Sequence, residues 1–188
     1  MTLASLPNLL CVFRMVLAVP VVWLLVHDHF GWTLVLFFVA AVTDGLDGYL
    51  AKRFDWTSEL GKVLDPVADK LLLVSVVVTL TLLDLVPLWL AAIVVLRDLV
   101  IAIGAAVYQR LFGPLDGRPT WPSKINTVVQ ICYVLGVVGH AASPLLPAAV
   151  VTTLGAAVFV TTFVSGTDYV MIYIRKAVQV TRMRRAEA

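Results

Sequence analysis

Apolar residues occur in six long runs that are separated by short polar segments. The runs cover about residues 7–26, 32–52, 64–84, 87–109, 124–142 and 146–174. A helix needs about 20 mostly apolar residues to cross the hydrocarbon core of a bilayer, which is the length of the first five runs. The sixth run is longer, so we expect it to tilt or to emerge as an interfacial helix. The pattern predicts an all-α, polytopic membrane protein with six transmembrane helices.

The composition supports this interpretation. The chain has 188 residues, of which 61% are hydrophobic and 14% are charged, and its mean hydropathy is +0.97. Soluble domains have about 25% charged residues, so an ordinary soluble domain is excluded. We therefore treat residues 1–188 as a single membrane domain and expect no nucleic-acid partner. Cys11 and Cys132 both fall in apolar runs, which favours buried thiols over a disulfide.

The distribution of basic residues predicts how the helices are oriented. The loops near 27–31, 84–87 and 141–147 contain neither Lys nor Arg. The segments on the opposite side contain all of the following: Lys52, Arg53, Lys62, Arg110, Arg118, Lys124, Arg175, Lys176, Arg182, Arg184 and Arg185. Because basic loops stay in the cytoplasm, both termini should be cytoplasmic. The basic tail, residues 175–188, either contacts anionic lipid head groups or only sets this topology.

The first run resembles a signal peptide in length only. It lacks a basic segment at its start, and Arg14 interrupts it, so we interpret it as a retained helix. The chain starts without an Arg/Ser-rich transit peptide, which favours a bacterial plasma membrane over an organelle.

Four aspartates lie at the predicted cytoplasmic ends of the second and third helices. Asp44 and Asp47 are three residues apart, and Asp65 and Asp69 are four apart, so each pair lies on one helix face. Four carboxylates in a low-dielectric setting repel one another, and a divalent cation relieves that repulsion. Oxygen ligands suit Mg²⁺ or Mn²⁺, which proteins often hold together with substrate phosphates. The spacing therefore predicts a metal site with room for a phosphorylated ligand.

The residues around the acids fit such a ligand. Gly48, Ala51 and Gly61 remove side-chain bulk, and Lys52 and Arg53 place positive charge beside the acids. Taken singly, small residues in membrane helices also serve packing, and boundary Lys and Arg also anchor topology. Acids inside a membrane, however, usually mark function. A small ion or proton transporter and a non-catalytic relative of an enzyme remain as alternatives.

This segment, residues 44–69, resembles the signature D-x2-D-G-x2-A-R-x8-G-x3-D-x3-D of the CDP-alcohol phosphatidyltransferases. Every position matches except one, where Lys52 replaces Arg. Lysine keeps the positive charge but loses the two-pronged geometry of a guanidinium, so Arg53 could share its phosphate contact. The eight residues at the signature positions are Asp44, Asp47, Gly48, Ala51, Lys52, Gly61, Asp65 and Asp69, of which all but Lys52 match.

The resemblance implies a metal-dependent reaction in which an alcohol displaces CMP from CDP-diacylglycerol, carried out by a homodimer. It implies that Asp44, Asp47 and Asp65 bind two Mg²⁺ or Mn²⁺ ions. Asp69 would complete the metal site and act as general base on the acceptor hydroxyl. The residues that would bind the CDP-lipid are Asp44, Gly48, Ala51, Lys52 and Gly61.

Segments outside the signature bear on the acceptor. "SLPNLLCVFRMVLA" is similar to the first helix of phosphatidylglycerophosphate synthases and cardiolipin synthases. "LRDLVIAIGAAVY", "SKINTVVQ" and "RKAVQV" are more similar to the CDP-alcohol type of cardiolipin synthase. The phosphatidylglycerophosphate synthases typically have a further Arg after the position of Arg97 and Asp98, and this chain has none there. The comparison favours phosphatidylglycerol as acceptor, which gives cardiolipin, and leaves glycerol 3-phosphate as the alternative.

Three basic residues are candidates for contacting the acceptor phosphate: Arg97, Lys124 and Arg14. Arg97 lies near the middle of the fourth run, where a guanidinium is costly unless it is paired or faces a polar cavity. Its alternative role is an ion pair with Asp98 or with another helix. Arg14 has the alternative of extending along the first helix to the inner surface.

Overall fold

The computed structural model describes the backbone of residues 6–54, 61–112, 120–143 and 146–186. It describes the side chains of residues 12–43, 70–111, 120–143, 146–176 and 178. In these ranges the chain forms six α-helices, which confirms the predicted all-α fold. They are α1 (Leu6–Val26), α2 (Phe30–Phe54), α3 (Gly61–Leu82), α4 (Leu88–Phe112), α5 (Trp121–Ala142) and α6 (Ala148–Ala186).

The helix ends lie within three residues of the predicted ends, except for the last one. α6 continues to Ala186, whereas the apolar run ends near residue 174. Its 39 residues span about 58 Å at about 1.5 Å per residue, whereas a bilayer core is about 30 Å thick. The extra length is a direct helical continuation of the apolar segment.

Three helices are long and apolar enough to cross a membrane within the part of the chain that the structure describes. They are Leu88–Leu111, Trp121–Ala142 and Ala148–Lys176. Shorter apolar helical segments occur at Val12–Val26, Phe30–Thr43 and Lys70–Leu82. All six helices expose large apolar side chains, and the exposed fraction reaches 79% for Leu82. Such surfaces suit contact with lipid rather than water.

The chain divides into two compact units. Unit 1 comprises Met1–Pro87 and Ile131–Val151, and unit 2 comprises Leu88–Gln130 and Thr152–Ala188. Within unit 1, α1 packs against both α2 and α3. Its most deeply buried side chains come from all three of these helices and from α5: Val21, Leu25, Phe37, Val76, Leu80, Val134 and Val138.

The C-terminal ends of α1 and α3 have the same backbone geometry. In α1 the Asp28 amide donates to Leu25 and the His29 amide donates to Leu24, with Asp28 at a φ of 58°. In α3 the Asp84 amide donates to Thr81 and the Leu85 amide to Leu80, with Asp84 at a φ of 59°. These are Schellman motifs, in which aspartate occupies the left-handed position that glycine usually takes. They satisfy the last carbonyls of both helices.

Hydroxyl groups in the apolar helices are satisfied by the helices themselves. Thr79 Oγ1 donates to the Ser75 carbonyl at 2.7 Å, and Thr81 Oγ1 donates to Val77 at 2.8 Å. A hydroxyl bonded to the carbonyl four residues earlier needs no water, which allows threonine in an apolar helix.

The prediction of buried thiols is wrong for Cys132. Its side chain is a free thiol that is exposed on α5. An apolar run reveals that a helix suits lipid, but not which of its faces meets protein. Cys11 lies outside the described side chains.

Candidate functional site

The four aspartates of the signature lie on helices, as predicted. Asp44 and Asp47 fall within α2, and Asp65 and Asp69 within α3. The helical backbone keeps each pair at a spacing that shares one helix face. α1 packs against both helices in unit 1. The side chains of these aspartates lie outside the described residues, so their convergence on a metal ion stays a prediction.

The other signature residues also lie on these two helices, and their side chains are likewise outside the described residues. Gly48, Ala51 and Lys52 fall within α2, together with Arg53, and Gly61 begins α3. Their side-chain surroundings also lie outside the described residues, so their contact with a CDP-lipid stays a prediction.

Unit 1, which carries the four acids, also contains two basic side chains with buried nitrogen atoms. Arg14, in the middle of α1, is only 3% exposed, and the ammonium nitrogen of Lys70, next to Asp69 in sequence, is also buried. A buried Arg14 does not fit the alternative in which this side chain extends to the inner surface. Burying a cation is costly unless negative charge lies nearby. The two cations therefore fit a unit that also carries four acids.

The polar side chains of unit 2 gather around Arg97 of α4, which is 6% exposed. Arg97 Nη1 donates to Asp98 Oδ1 at 2.6 Å. Arg97 Nη2 donates to Ser123 Oγ of α5 at 2.8 Å and to Ser165 Oγ of α6. The guanidinium carbon also lies 5.9 Å from the ring centre of Tyr169, within cation–π range. These five residues, which we call the Arg97 cluster, connect three helices.

The cluster contains the local ion pair that was the alternative interpretation of Arg97. The Asp98 carboxylate balances the guanidinium charge, and the two serine hydroxyls use the remaining donors of Nη2. Arg97 Nε has no hydrogen-bond partner among the described residues. The guanidinium therefore links three helices, and it keeps one donor, Nε, that no described residue accepts from.

Two buried amides lie on α5 beyond the Arg97 cluster. Asn126 is fully buried, and its Oδ1 accepts hydrogen bonds from the hydroxyls of Thr161 and Thr162 on α6, both at 2.9 Å. Gln130, one turn further along α5, is 2% exposed. Together with Ser123, these residues repeat every three or four positions and form one polar face of the helix.

Lys124 lies apart from these buried groups. Its side chain is exposed, and its Nζ lies 5.0 Å from the ring centre of Trp121, which is 76% exposed. This cation–π contact at the start of α5 suits an anchor at a membrane boundary. A role for Lys124 in binding the acceptor phosphate stays a prediction.

The sequence analysis predicts a role for Arg97 but not for its partners or for the two amides of α5. Ser123, Asn126 and Gln130 follow a helical spacing that was visible in "SKINTVVQ". Together the three residues form a polar face on an otherwise apolar helix, and such a face is stronger evidence for a site than any one polar residue. Ser165 had no such signal, because single serines are common in membrane helices.

The chain is similar to known proteins of one family. The sequence profile of the family described as "CDP-alcohol phosphatidyltransferase" matches residues 4–164. A probable cardiolipin synthase (CMP-forming) of Drosophila melanogaster is 37% identical over 147 residues, which cover 69% of this chain and 45% of that protein. The human cardiolipin synthase (CMP-forming) is 35% identical over 147 residues, which cover 48% of that protein. The chain thus spans about half the length of these two relatives.

A relative with the other expected activity matches over more of its length. A probable phosphatidylglycerophosphate synthase of Mycobacterium tuberculosis is 33% identical over 183 residues. The match covers 92% of this chain and 83% of that protein. Relatives named as cardiolipin synthases and a relative named as a phosphatidylglycerophosphate synthase are therefore identical to this chain to nearly the same degree.

Proposed function

Because the chain belongs to the CDP-alcohol phosphatidyltransferase family, we propose that it transfers the phosphatidyl group of CDP-diacylglycerol to an alcohol and releases CMP. The single observation that carries this proposal is the signature at residues 44–69, on two helices that both pack against α1. Family membership also favours the transferase over an ion transporter that uses the same acids.

Four carboxylates make an all-oxygen donor set, which fits Mg²⁺ or Mn²⁺ better than softer metals. Asp44, Asp47, Asp65 and Asp69 would hold two such ions. When bound, the ions neutralise negative charge on the pyrophosphate and on the departing CMP. Gly48, Ala51 and Gly61 would let the CDP-lipid approach the helices, while Lys52 adds positive charge beside its phosphates.

The reaction itself needs one proton acceptor. The acceptor oxygen bonds to the phosphorus next to the diacylglycerol, and the bond from that phosphorus to the bridging oxygen breaks. CMP leaves with the bridging oxygen and its electron pair. Asp69 takes the proton of the attacking hydroxyl, which is general base catalysis.

The preferred acceptor is phosphatidylglycerol, which gives cardiolipin. The charge of the Arg97 cluster supports this choice, because Asp98 already balances Arg97. A cluster with no net charge attracts the dianionic phosphate of glycerol 3-phosphate less than an unpaired arginine would. The single negative charge of a phosphodiester suits it better. The extensive match to the M. tuberculosis relative keeps glycerol 3-phosphate as the second candidate.

The proposal includes a location and an assembly. We place six membrane spans with both termini in the cytoplasm, because loops 27–31, 84–87 and 141–147 lack basic residues. This topology puts the signature acids on the cytoplasmic side of the membrane. Family resemblance supports a homodimer.

The test is release of CMP from CDP-diacylglycerol by the purified protein with Mg²⁺ or Mn²⁺. Phosphatidylglycerol and glycerol 3-phosphate are supplied separately, and the lipid product of each is identified. The activity proposal fails if neither acceptor gives CMP, and the acceptor preference fails if only glycerol 3-phosphate is used.

Asp69→Asn should lower turnover at least about a hundredfold, since a general base contributes that much or more. Asp84→Asn is the matched control, because Asp84 is exposed at the end of α3. Normal turnover by Asp69→Asn would remove Asp69 as the base.

A further inference from the structure

Asn126 has one amide end bound to protein and the other end without a partner. Its Oδ1 accepts from Thr161 and Thr162, and its Nδ2 has no hydrogen-bond partner among the described residues. Rotating the amide by half a turn exchanges its oxygen and nitrogen. In both orientations, α6 holds one end, and the other end is buried without a partner among the described residues.

Gln130 has no partner at either end. Its Oε1 and Nε2 are both buried, and neither has a hydrogen-bond partner among the described residues. α5 and α6 run antiparallel here, because Ser123 and Asn126 lie level with Ser165 and Thr162. One turn further, Gln130 is therefore level with the region of Val158, which is 1% exposed.

An unpartnered amide at such a position is costly. Transferring an amide into apolar surroundings without a hydrogen bond is unfavourable, and a leucine of similar volume would avoid this cost. Polar groups inside membrane segments generally mark function. The presence of two partly or wholly unpartnered amides on one helix face is thus better explained by a ligand than by packing.

The chemistry of the two side chains identifies the kind of ligand. Each amide is neutral and offers both donors and an acceptor, which matches hydroxyl groups, since these also donate and accept. The two residues are about 6 Å apart along α5, which is comparable with the length of a three-carbon polyol. Arg97, which binds Ser123 on the same face of α5, has a free Nε for a phosphate oxygen.

We propose that Asn126 and Gln130 form a subsite that binds the glycerol hydroxyls of the acceptor, next to the phosphate site of Arg97. This proposal rests on the proposed function, because it assumes an acceptor of the glycerophosphate class. Phosphatidylglycerol and glycerol 3-phosphate share the relevant chemistry, a glycerol hydroxyl group close to a phosphate. The subsite therefore selects for a polyol head group in either case.

Steady-state kinetics of the full chain test the subsite. Gln130→Leu is compared with wild type at saturating CDP-diacylglycerol, with phosphatidylglycerol or glycerol 3-phosphate varied in separate series. We expect the KM for the acceptor to rise about tenfold, the effect of losing one good hydrogen bond. The KM for CDP-diacylglycerol should stay within about twofold, and Tm should not fall, because the variant removes an unpaired amide. A rise for only one acceptor identifies that acceptor as the natural source of the polyol, and a rise for both shows that the subsite accepts either one.

Two variants separate binding from structure. Gln109→Leu makes the same chemical change on the exposed face of α4 and should leave both KM values unchanged. Gln130→Asn keeps the amide on a shorter side chain and should give an intermediate KM for the acceptor. The proposal is wrong if Gln130→Leu leaves the acceptor KM unchanged. It is also wrong if both KM values and Tm shift together, since that pattern indicates a structural role.

A binding measurement distinguishes this proposal from the proposed function. Short-chain phosphatidylglycerol or glycerol 3-phosphate, added without CDP-diacylglycerol, should raise the Tm of the wild type but not of Gln130→Leu. If the added compound raises the Tm of the wild type but not of Gln130→Leu, and the wild type releases no CMP, the subsite is supported and the proposed transferase activity is wrong. If neither compound shifts the wild-type Tm, the subsite is wrong even where CMP is released.

Discussion

Replacing Asp98 with asparagine should show how far the stability of unit 2 depends on the buried ion pair. The side chains of Arg97 and Asp98 are 5% and 13% exposed, and Nη1 lies 2.6 Å from Oδ1. Asparagine keeps the shape of aspartate but cannot balance a guanidinium. Removing one partner of a buried pair costs about 3–5 kcal/mol. The lower end applies here, because Ser123, Ser165 and Tyr169 still contact the guanidinium.

We therefore expect Asp98→Asn to lose about 3 kcal/mol of unfolding free energy. For a chain of this size, each kcal/mol shifts Tm by about 2–4 °C, so Tm should fall by about 6–12 °C. Arg97→Met should be destabilised to a similar degree, since it leaves the Asp98 carboxylate buried. The double variant Arg97→Met/Asp98→Leu removes both charges and should regain most of the stability. It should not regain activity if Arg97 binds the acceptor phosphate as proposed, because that contact is lost.

Thermal unfolding in detergent, followed by far-ultraviolet circular dichroism, measures these shifts, and CMP release measures activity. Asp84→Asn is the control, because Asp84 is exposed and asparagine also adopts its φ of 59°. A Tm for Asp98→Asn equal to that of the wild type would refute the buried pair. Full activity in the double variant would refute a role for Arg97 in binding the acceptor.

Two further predictions concern single positions in α4 and α2. A Cβ at Gly104 would lie 2.6 Å from Tyr173 Cε2. Overpacking of this kind costs about 1–3 kcal/mol, of which the better helix propensity of alanine offsets about 1 kcal/mol. Gly104→Ala should therefore lower Tm by a few degrees. Gly31→Ala is its control, with no atom within 4 Å of the added methyl group, and an equal Tm for both variants would contradict the argument. Lys52→Arg restores the arginine of the family signature and should lower the KM for CDP-diacylglycerol about two- to fivefold through bidentate phosphate binding. An unchanged KM would show that residue 52 does not contact the phosphates, and a higher KM would contradict bidentate binding by arginine.

The helices could be predicted from the sequence because bilayer thickness sets a narrow range of lengths. Apolar runs near 20 residues, broken by segments such as "HDHFG" and "DLVP", left few other positions for the ends. The end of α6 at Ala186 could not be predicted in this way, since hydropathy measures affinity for lipid and not helicity. Residues such as Arg175 and Lys176 are good helix formers and continue a helix that has left the apolar run.

The surroundings of individual side chains were less predictable, because a uniformly apolar run does not indicate which face of its helix packs against protein. Cys132 is exposed although its neighbours are apolar, and Arg14 is buried although arginine at that depth could have extended to the surface. In both cases the outcome depends on which helix face meets another helix. That information comes from tertiary packing, which hydrophobic periodicity reveals only when one face meets water.

The polar interior of unit 2 follows from the same principle. Lipid replaces water outside, so apolar side chains gain little by being buried, and polar side chains gain most from an interior position. Five of the buried polar residues, Arg97, Asn126, Gln130, Thr162 and Ser165, accordingly lie in unit 2. Hydrogen bonds among helices account for Arg97, Thr162, Ser165 and one end of Asn126, but none of the described contacts accounts for Gln130. The proposed function thus assigns the reaction to the signature acids of unit 1, and the proposed subsite assigns recognition of the acceptor head group to polar groups of unit 2 that the described helix packing leaves unused.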